Sequence, residues 1–217
     1  MQLKEFTTSA ARPLPVILLA DVSGSMHADG KIAALNASIR DMLASFATTD
    51  DQGAEIHVAI ITFGGTAEVQ TPLATANTVQ WTDLTARGST PMGKAMELAA
   101  DLIEDREKIP ARAYRPTVVL LSDGQPDPGW ENGLTRMTKE GRAQKADRMA
   151  LAIGADADVD VLRRFVAPAT DRLFGAADAR RIRDFFNFLT MSVATRTRSV
   201  NPNELPPMQD PYDLDRL

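Results

Sequence analysis

The sequence predicts an α/β fold in which helices cover both faces of a mostly parallel sheet. Short, fully apolar runs recur along the chain, which is typical of strands that are buried on both sides. Segments with a helical stripe of apolar residues alternate with these runs, and such alternation predicts parallel strand pairing. Two of the runs end in a carboxylate, Asp21 and Asp123. Ligands of such sheets bind beyond the carboxyl ends of the strands, where the strand order reverses.

The first half of the chain contains two apolar strands, one helix and one edge strand. The runs Val16–Ala20 and Glu55–Phe63 are rich in aliphatic residues and predict the two strands. Between them, Lys31–Phe46 carries apolar residues along one helical stripe, which predicts an amphipathic helix. Two glycines then favour a turn, so Ala67–Leu73 is expected to pair antiparallel at one edge of the sheet.

The second half repeats the alternation and ends in a long helix. Three further strands are expected at Pro116–Gly124, Met149–Gly154 and Arg172–Gly175. Helices are expected after Pro91 and over Leu134–Lys145, Val159–Val166 and Ala177–Thr195. The sequence contains no internal repeat. We expect the strands to form one sheet, with the helices packed on its faces.

Length and composition indicate a single domain with short flanking segments. The 217 residues are enough for one well-buried domain. We assign residues 1–12 to an N-terminal extension, 13–195 to the domain and 196–217 to a flexible acidic tail. The tail is expected because "NPNELPPMQDPYDLDRL" is rich in proline and offers little apolar surface to bury.

Charge and hydropathy limit the classes of partner and the location. The formal net charge of −5 argues against a general nucleic-acid binder. No stretch approaches the ~18 apolar residues that a membrane span needs, and the first residues lack the core of a signal peptide. The chain has no cysteine, which excludes disulfides and thiolate metal sites and fits a reducing compartment. We therefore expect a cytoplasmic protein without a membrane span.

Five oxygen-bearing residues follow strand ends or open a helix. Asp21, Ser23 and Ser25 alternate within "DVSGSM", so their side chains can point the same way. Thr90 lies in "ARGSTPMGKA" and Asp123 in "LLSDGQPD". Two carboxylates and three hydroxyls form an all-oxygen set, which suits a hard cation such as Mg²⁺ better than zinc. The two carboxylates would neutralise a divalent ion, and a carboxylate from a partner could then complete its coordination.

Four of these five residues also have a purely structural interpretation. The Ser23–Ser25 segment could form a turn that caps the next helix. Thr90 and Pro91 fit the N-cap and first position of a helix, and Asp123 before a glycine could belong to a turn. The metal-site interpretation is favoured because all five positions fall at one predicted edge of the sheet.

The five residues resemble the metal-ion-dependent adhesion site of von Willebrand factor type A (VWA) domains. "DVSGSM" matches the DxSxS signature of that family, and Thr90 and Asp123 stand where its later site residues are expected. The resemblance covers roughly Pro13–Thr195. It implies a Rossmann-like, doubly wound sheet with one antiparallel edge strand. It also implies divalent-cation-dependent protein binding without catalysis.

The resemblance also suggests a cation, a partner and a setting. The expected ion is Mg²⁺, with Mn²⁺ or Ca²⁺ as alternatives, and the expected partner is a protein that presents an Asp or Glu to the metal. The phrases "GSTPMGKAMELA" and "LLSDGQPD" are most similar to bacterial tellurite-resistance VWA proteins. Some of those are linked with a kinase and a phosphatase in stress-response systems, which implies such partners here.

An enzymatic function is the alternative that we weigh against protein binding. The sequence contains neither a GxxxxGK[ST] phosphate loop nor a GxSxG nucleophile elbow. A metal-assisted phosphohydrolase could use Asp21 as nucleophile, but haloacid-dehalogenase-type phosphatases need a second aspartate where Ser23 stands. We therefore expect a protein that is not an enzyme.

Several other residues carry weaker signals. His27 is interpreted as a solvated loop residue and His57 as a structural residue. Trp130, close after Asp127, fits a binding surface and a packing role equally well. A basic cluster is interpreted as a solvated helix face; its members are Arg136, Lys139, Arg142, Lys145 and Arg148.

Overall fold

A computed structural model describes residues 11–49, 54–203 and 212–217, which form a seven-stranded sheet flanked by helices. The strands are β1 (Arg12–Asp21), β2 (Ala54–Gly64), β3 (Thr66–Thr75), β4 (Thr117–Ser122), β5 (Asp147–Ile153), β6 (Leu173–Ala176) and β7 (Asp215–Arg216). The helices are α1 (Lys31–Ala47), α2 (Met92–Glu104), α3 (Glu131–Lys139), α4 (Val159–Val166) and α5 (Ala179–Thr197).

The sheet has the order β3-β2-β1-β4-β5-β6-β7 and is parallel except at its two edges. After β1 the chain builds β2 and β3 on one side, and it then returns to place β4 on the other side of β1. Ala20 of β1 pairs with Leu121 of β4, so the ends of these two strands lie next to each other. The predicted doubly wound sheet with an antiparallel edge is confirmed, and the strand order reverses between β1 and β4.

The central strands are apolar throughout because helices cover both of their faces. Along β1, Leu18 packs in the core layer that contains α1 and α5, whereas Ile17 and Leu19 pack in the layer that contains α2, α3 and α4. All three side chains are fully buried. Successive side chains of a strand point to opposite faces, so a strand between two helical layers needs apolar residues at every position.

The basic stretch after α3 differs from the prediction. A helix was expected over Leu134–Lys145, but α3 covers Glu131–Lys139. Gly141, with φ of 49°, separates it from a short 3-10 turn. The expectation that Arg148 lies on a solvated helix face is wrong: this residue lies in β5 and is only 7% exposed. Its guanidinium donates to the carbonyls of Phe165 and Ala167, at 2.7 and 2.8 Å.

The segment expected to be a flexible tail contacts the domain at several of its described residues. The helix α5 continues to Thr197, and its Arg196 is fully buried and donates to the carbonyl of Pro202 at 2.8 Å. Leu214 is 5% exposed, and the following β7 pairs antiparallel with β6. This second antiparallel edge was not predicted. Residues 204–211 of the expected tail and residues 1–10 of the expected extension lie outside the described residues. Arg12, the last residue of the expected extension, is the first residue of β1. Within the described ranges, no helix has the length and apolar character that crossing a bilayer requires.

Candidate metal centre

Asp21 is the last residue of β1, and its carboxylate is fully buried. Oδ1 accepts a hydrogen bond from the backbone N–H of Ser23 at 2.8 Å, and Oδ2 accepts one from the hydroxyl of Ser122 at 2.6 Å. Burial raises the pKa of Asp21 to about 6; these hydrogen bonds act in the opposite direction, and the negative charge of Asp123 adds a smaller increase. A cation beside this carboxylate would favour its charged form and oppose the effect of burial.

The loop after β1 places two hydroxyls next to Asp123. Ser23 Oγ lies 3.0 Å from Ser25 Oγ, and Ser25 Oγ donates to Asp123 Oδ1 at 2.6 Å. Met26 is fully buried and anchors the 3-10 segment Gly24–Gly30 to the core. The alternating polar residues of "DVSGSM" therefore face one point, while the apolar residue that follows them faces the interior.

Thr90 belongs to residues 79–91, which we call the threonine loop and which connect the end of the β3 region to α2. This loop is bonded to the ends of β1 and β2 through backbone atoms. The N–H of Arg87 donates to the carbonyl of Val22 at 2.6 Å, and the carbonyl of Gly88 accepts from the N–H of Gly24 at 3.0 Å. The carbonyl of Ser89 accepts from the N–H of Gly65 at 2.8 Å. The position of Thr90 is thus fixed by the same strand ends that carry Asp21.

A close approach of glycines allows these backbone contacts. Gly88 has φ of +70°, and a Cβ built on it would lie 2.5 Å from both Cα and N of Gly65. A Cβ on Gly64 would lie 2.4 Å from the carbonyl oxygen of Val22 and 2.7 Å from that of Arg87 in the threonine loop. Real Cβ contacts are not this short, so a larger residue at position 64 or 88 would push the threonine loop away from the strand ends.

Asp127 holds Thr90 from the opposite side. Its carboxylate accepts from the Thr90 N–H at 3.1 Å and from the Ser89 hydroxyl at 2.8 Å, and its own N–H donates to the Thr90 carbonyl at 2.9 Å. The N-cap residue of α2 is Pro91, and no side chain caps this helix. Thr90 is therefore not the N-cap residue, which was its structural alternative.

The hydroxyls of Ser25 and Thr90 both lie close to Gly124, the residue after Asp123. A Cβ added to Gly124 would lie 3.7 Å from Ser25 Oγ and 3.9 Å from Thr90 Oγ1. Because residue 124 is a glycine, it leaves the space between these two hydroxyls free of a side chain. The structure therefore brings all five predicted residues to the edge of the sheet where β1 and β4 end.

The donor set fits a hard divalent cation. Its atoms are carboxylate and hydroxyl oxygens only, which Mg²⁺, Mn²⁺ and Ca²⁺ accept as ligands. Within the described ranges, no group of three or more His, Cys, Asp and Glu side chains could hold a metal ion. Asp21 and Asp123 are the two carboxylates of this donor set, and their combined charge equals that of one divalent ion.

Two residues of the site were not identified from the sequence. Lys31, the first residue of α1, places Nζ 2.8 Å from Asp123 Oδ2. The side chain of Lys31 is 14% exposed and that of Asp123 is fully buried. Ser122, which bonds Asp21, directly precedes Asp123, so its position at a strand end was a usable signal. Lys31 lies far from Asp123 in sequence, and nothing in the sequence indicates their contact.

The other residues considered in the sequence have mainly structural contacts. His27 is exposed. On β2, Nε2 of His57 lies 2.7 Å from Oε2 of Glu55. Trp130 is half-buried, and the guanidinium of Arg164 lies 4.6 Å from the centre of its ring. This contact favours the packing role among the two alternatives for Trp130.

Comparisons with solved structures show which known fold this architecture shares. A von Willebrand factor type A protein from Catenulispora acidiphila superposes with a TM-score of 0.65 at 19% identity, covering 85% of this chain and 43% of that chain. Proximal thread matrix protein 1 from the mussel byssus, solved with a zinc-occupied MIDAS motif, superposes with a TM-score of 0.64 at 18% identity, covering 87% of this chain and 47% of that chain. At these identities the likeness establishes the fold alone.

Sequence comparisons extend the likeness to the family. An uncharacterized protein of Mycobacterium tuberculosis is 30% identical over 173 residues, which are 76% of this chain and 26% of that protein. The chain thus spans about a quarter of the length of this relative. The sequence pattern of the von Willebrand factor type A domain matches residues 16–125, which include most of β1, the threonine loop and Asp123. The chain therefore belongs to the von Willebrand factor type A domain family.

Proposed function

We propose that this protein is a divalent-cation-dependent protein-binding module. The cation, Mg²⁺ in the first instance, is held by the hydroxyls of Ser23, Ser25 and Thr90 together with Asp21, and Asp123 lies close behind them. The observation that carries the proposal is the convergence of hydroxyls from two separate loops at the ends of β1 and β4, beside two fully buried carboxylates.

The chemistry of the donors explains how such a module would capture a partner. Neutral hydroxyl ligands leave much of the ion's charge uncompensated towards solvent, so an external carboxylate is an attractive further ligand. An Asp or Glu side chain on a protein partner would supply it. The contact is short and directional, which makes binding depend on one acidic residue of the partner and on the ion.

The surroundings of Asp21 support binding rather than covalent catalysis. A nucleophilic carboxylate must present an oxygen to its substrate. Each oxygen of Asp21 already accepts one hydrogen bond, from Ser23 N–H or Ser122 Oγ, and the side chain is fully buried. A remaining lone pair can ligate a small ion, whereas attack on a phosphoryl group needs more open access to the oxygen. An aryl phosphate offered together with Mg²⁺ should therefore remain unhydrolysed. Hydrolysis by the wild type that is lost in Asp21→Asn would instead favour the phosphohydrolase.

The finer part of the proposal concerns the setting of the protein. We assign it to the cytoplasm of a bacterium, in a tellurite-resistance or stress-response system with a kinase or phosphatase as partner. This assignment is supported by the similarity of the phrases around Thr90 and Asp123 to bacterial tellurite-resistance VWA proteins. Cells that lack the protein should then be more sensitive to tellurite; if an Asp21→Ala copy restored resistance, the metal site would not be needed there.

The cation is tested by thermal unfolding with Mg²⁺ or Mn²⁺ and with EDTA. A ligand that binds only the folded state at 100 times its dissociation constant stabilises it by about 2.7 kcal/mol. For a chain of this size that corresponds to a rise of roughly 5–10 °C in the thermal midpoint. Thr90→Ala should remove much of the rise, whereas Thr85→Ala, an exposed threonine of the same loop, should keep it. An equal rise in the wild type, Asp21→Ala and Asp123→Ala would refute the site.

The partner is tested by affinity purification at low and high salt, with and without EDTA. Salt screens attraction between exposed charges, whereas direct coordination of a carboxylate should survive it much better. Partners captured by the wild type should be lost in EDTA and in Thr90→Ala, and retained by Thr85→Ala. Capture that vanishes at high salt but ignores both EDTA and Thr90→Ala would show that a charged surface elsewhere holds the partner.

A further inference from the structure

Lys31 is a positive group inside the candidate metal centre. Its ammonium lies 2.8 Å from Asp123 Oδ2, while the other oxygen of that carboxylate accepts from Ser25 Oγ at 2.6 Å. The pair is shielded from water, since the side chains of Lys31 and Asp123 are 14% and 0% exposed. Charge interactions are weakly screened in such surroundings, so Lys31 acts strongly on whatever ion lies next to Asp123.

The local structure favours this contact over other positions for the lysine. Lys31 opens α1, where the helix dipole is positive and a cation is unfavourable. Beyond β5 the chain continues with Gly154, and a Cβ built there would lie 3.2 Å from both Cε and Nζ of Lys31. The lysine thus reaches over the ends of two strands through space that Gly154 leaves open. Its contact with Asp123 offsets the unfavourable position at the helix start.

The lysine changes the charge of the site in both of its states. Asp21 and Asp123 contribute two negative charges and Lys31 one positive charge, so the residues sum to −1. A divalent ion brings the sum to +1, whereas without the lysine the occupied site would be neutral. Asp127, which holds Thr90, adds the same charge in both cases and does not alter the difference.

We propose that Lys31 tunes the metal centre by weakening its hold on the divalent cation and strengthening its capture of an external carboxylate. This inference rests on the proposed function of the site. The ammonium repels the incoming cation and shares Asp123 with it. Once the cation is bound, the same ammonium leaves an extra positive charge that attracts the partner's acidic group. A simple structural residue would not affect the two affinities in opposite directions.

The test compares Lys31→Met with the wild type in two titrations. Met keeps an unbranched side chain of similar length and favours the helix, but it carries no charge. We expect Lys31→Met to bind Mn²⁺ at least about tenfold more tightly by calorimetry, since it removes a repulsive charge from a partly buried site. We also expect the Mn²⁺-saturated variant to bind acetate several-fold more weakly. Acetate binding is measured by the paramagnetic broadening of its methyl resonance.

Two further variants are the controls. Lys31→Arg keeps the positive charge and should behave like the wild type in both titrations. Lys108→Met removes another lysine that is paired with an aspartate, at 3.4 Å from Asp105, but this lysine is 62% exposed and follows the end of α2 remote from Thr90. It should leave both affinities unchanged. Circular dichroism in EDTA checks that each variant is folded, and an unfolded Lys31→Met is replaced by Lys31→Gln.

The outcomes separate this inference from the proposed function. Tighter Mn²⁺ and weaker acetate binding in Lys31→Met or Lys31→Gln support the inference. If the wild type binds Mn²⁺ but the charge-removing variant does not show both of these changes, the role of Lys31 is refuted while the metal site stands. If the wild type binds no Mn²⁺, both the site and the role of Lys31 are refuted.

Discussion

The substitution Gly88→Ala tests whether the close approach of backbones positions Thr90. The new Cβ would lie 2.5 Å from Gly65 Cα, whereas ordinary van der Waals contact begins near 3.4 Å, so the threonine loop must move away by about 1 Å. That movement breaks or weakens the bonds Gly24 N–H to Gly88 O, at 3.0 Å, and Gly65 N–H to Ser89 O, at 2.8 Å.

The expected cost combines strain with lost hydrogen bonds. An alanine at φ of +70° costs about 1 kcal/mol relative to glycine. Two backbone hydrogen bonds contribute about 1 kcal/mol each, and imperfect repacking adds to the loss. The free energy of unfolding should therefore fall by roughly 3–4 kcal/mol. Because Thr90 moves with the loop, Mn²⁺ affinity should fall as well.

Gly30→Ala is the matched control for backbone strain. Gly30 has φ of +69°, almost the same as Gly88, but a Cβ there would have nothing within 4 Å. It should therefore lose only about 1 kcal/mol. Both variants are measured by urea unfolding in EDTA, and Mn²⁺ affinity is measured by calorimetry. If the two variants lose the same free energy of unfolding, the contact with Gly65 does not determine the position of the threonine loop.

Three other perturbations test the scaffold. Arg196→Met should lower the free energy of unfolding by roughly 3–5 kcal/mol, because it removes a fully buried cation that donates to three oxygens and leaves Asp147 without that partner. The control is Arg180→Met, since the side chain of Arg180 is 81% exposed; in the same urea titration it should change stability little. Asn36→Ala removes the two hydrogen bonds between the side-chain amide of Asn36 and the backbone of Leu84, at 3.0 and 2.8 Å. The free energy of unfolding should fall by about 1–3 kcal/mol, and amide hydrogen exchange in the threonine loop should become faster. Unchanged exchange there would contradict this anchoring. Deleting residues 212–217 removes β7 and a buried leucine, and should lower the free energy of unfolding, measured with urea, by about 2 kcal/mol. A truncated chain of undiminished stability would restore the interpretation of this segment as a loose tail.

Sequence patterns predict those parts of the structure that depend on local chemistry. The central strands are recognisable because two helical layers require apolar residues at every position, as at Ile17, Leu18 and Leu19. The candidate site is recognisable because alternating polar residues follow a buried strand at Asp21. These signals lie within a few residues of one another in the chain.

Contacts between distant residues were missed because no local pattern encodes them. Lys31 opens a helix that its apolar stripe predicts, but its contact with Asp123 arises only when β1 and β4 lie side by side. The strand β7 has two residues, both exposed, and forms only because β6 presents an open edge. Arg148 looks solvated by composition, yet backbone carbonyls of other segments satisfy its guanidinium inside the protein.

Apart from Gly88, the backbone anchoring of the threonine loop makes the position of this loop depend little on the identity of its exposed side chains. The bonds to Val22, Gly24 and Gly65 use main-chain atoms, which every amino acid except proline supplies in full. Exposed side chains of the loop, such as Thr85 and the 64% exposed Arg87, are free to change without moving Thr90. Under the proposed function, substitutions at these exposed positions would change the chemical surface around the site without moving the threonine that the site uses.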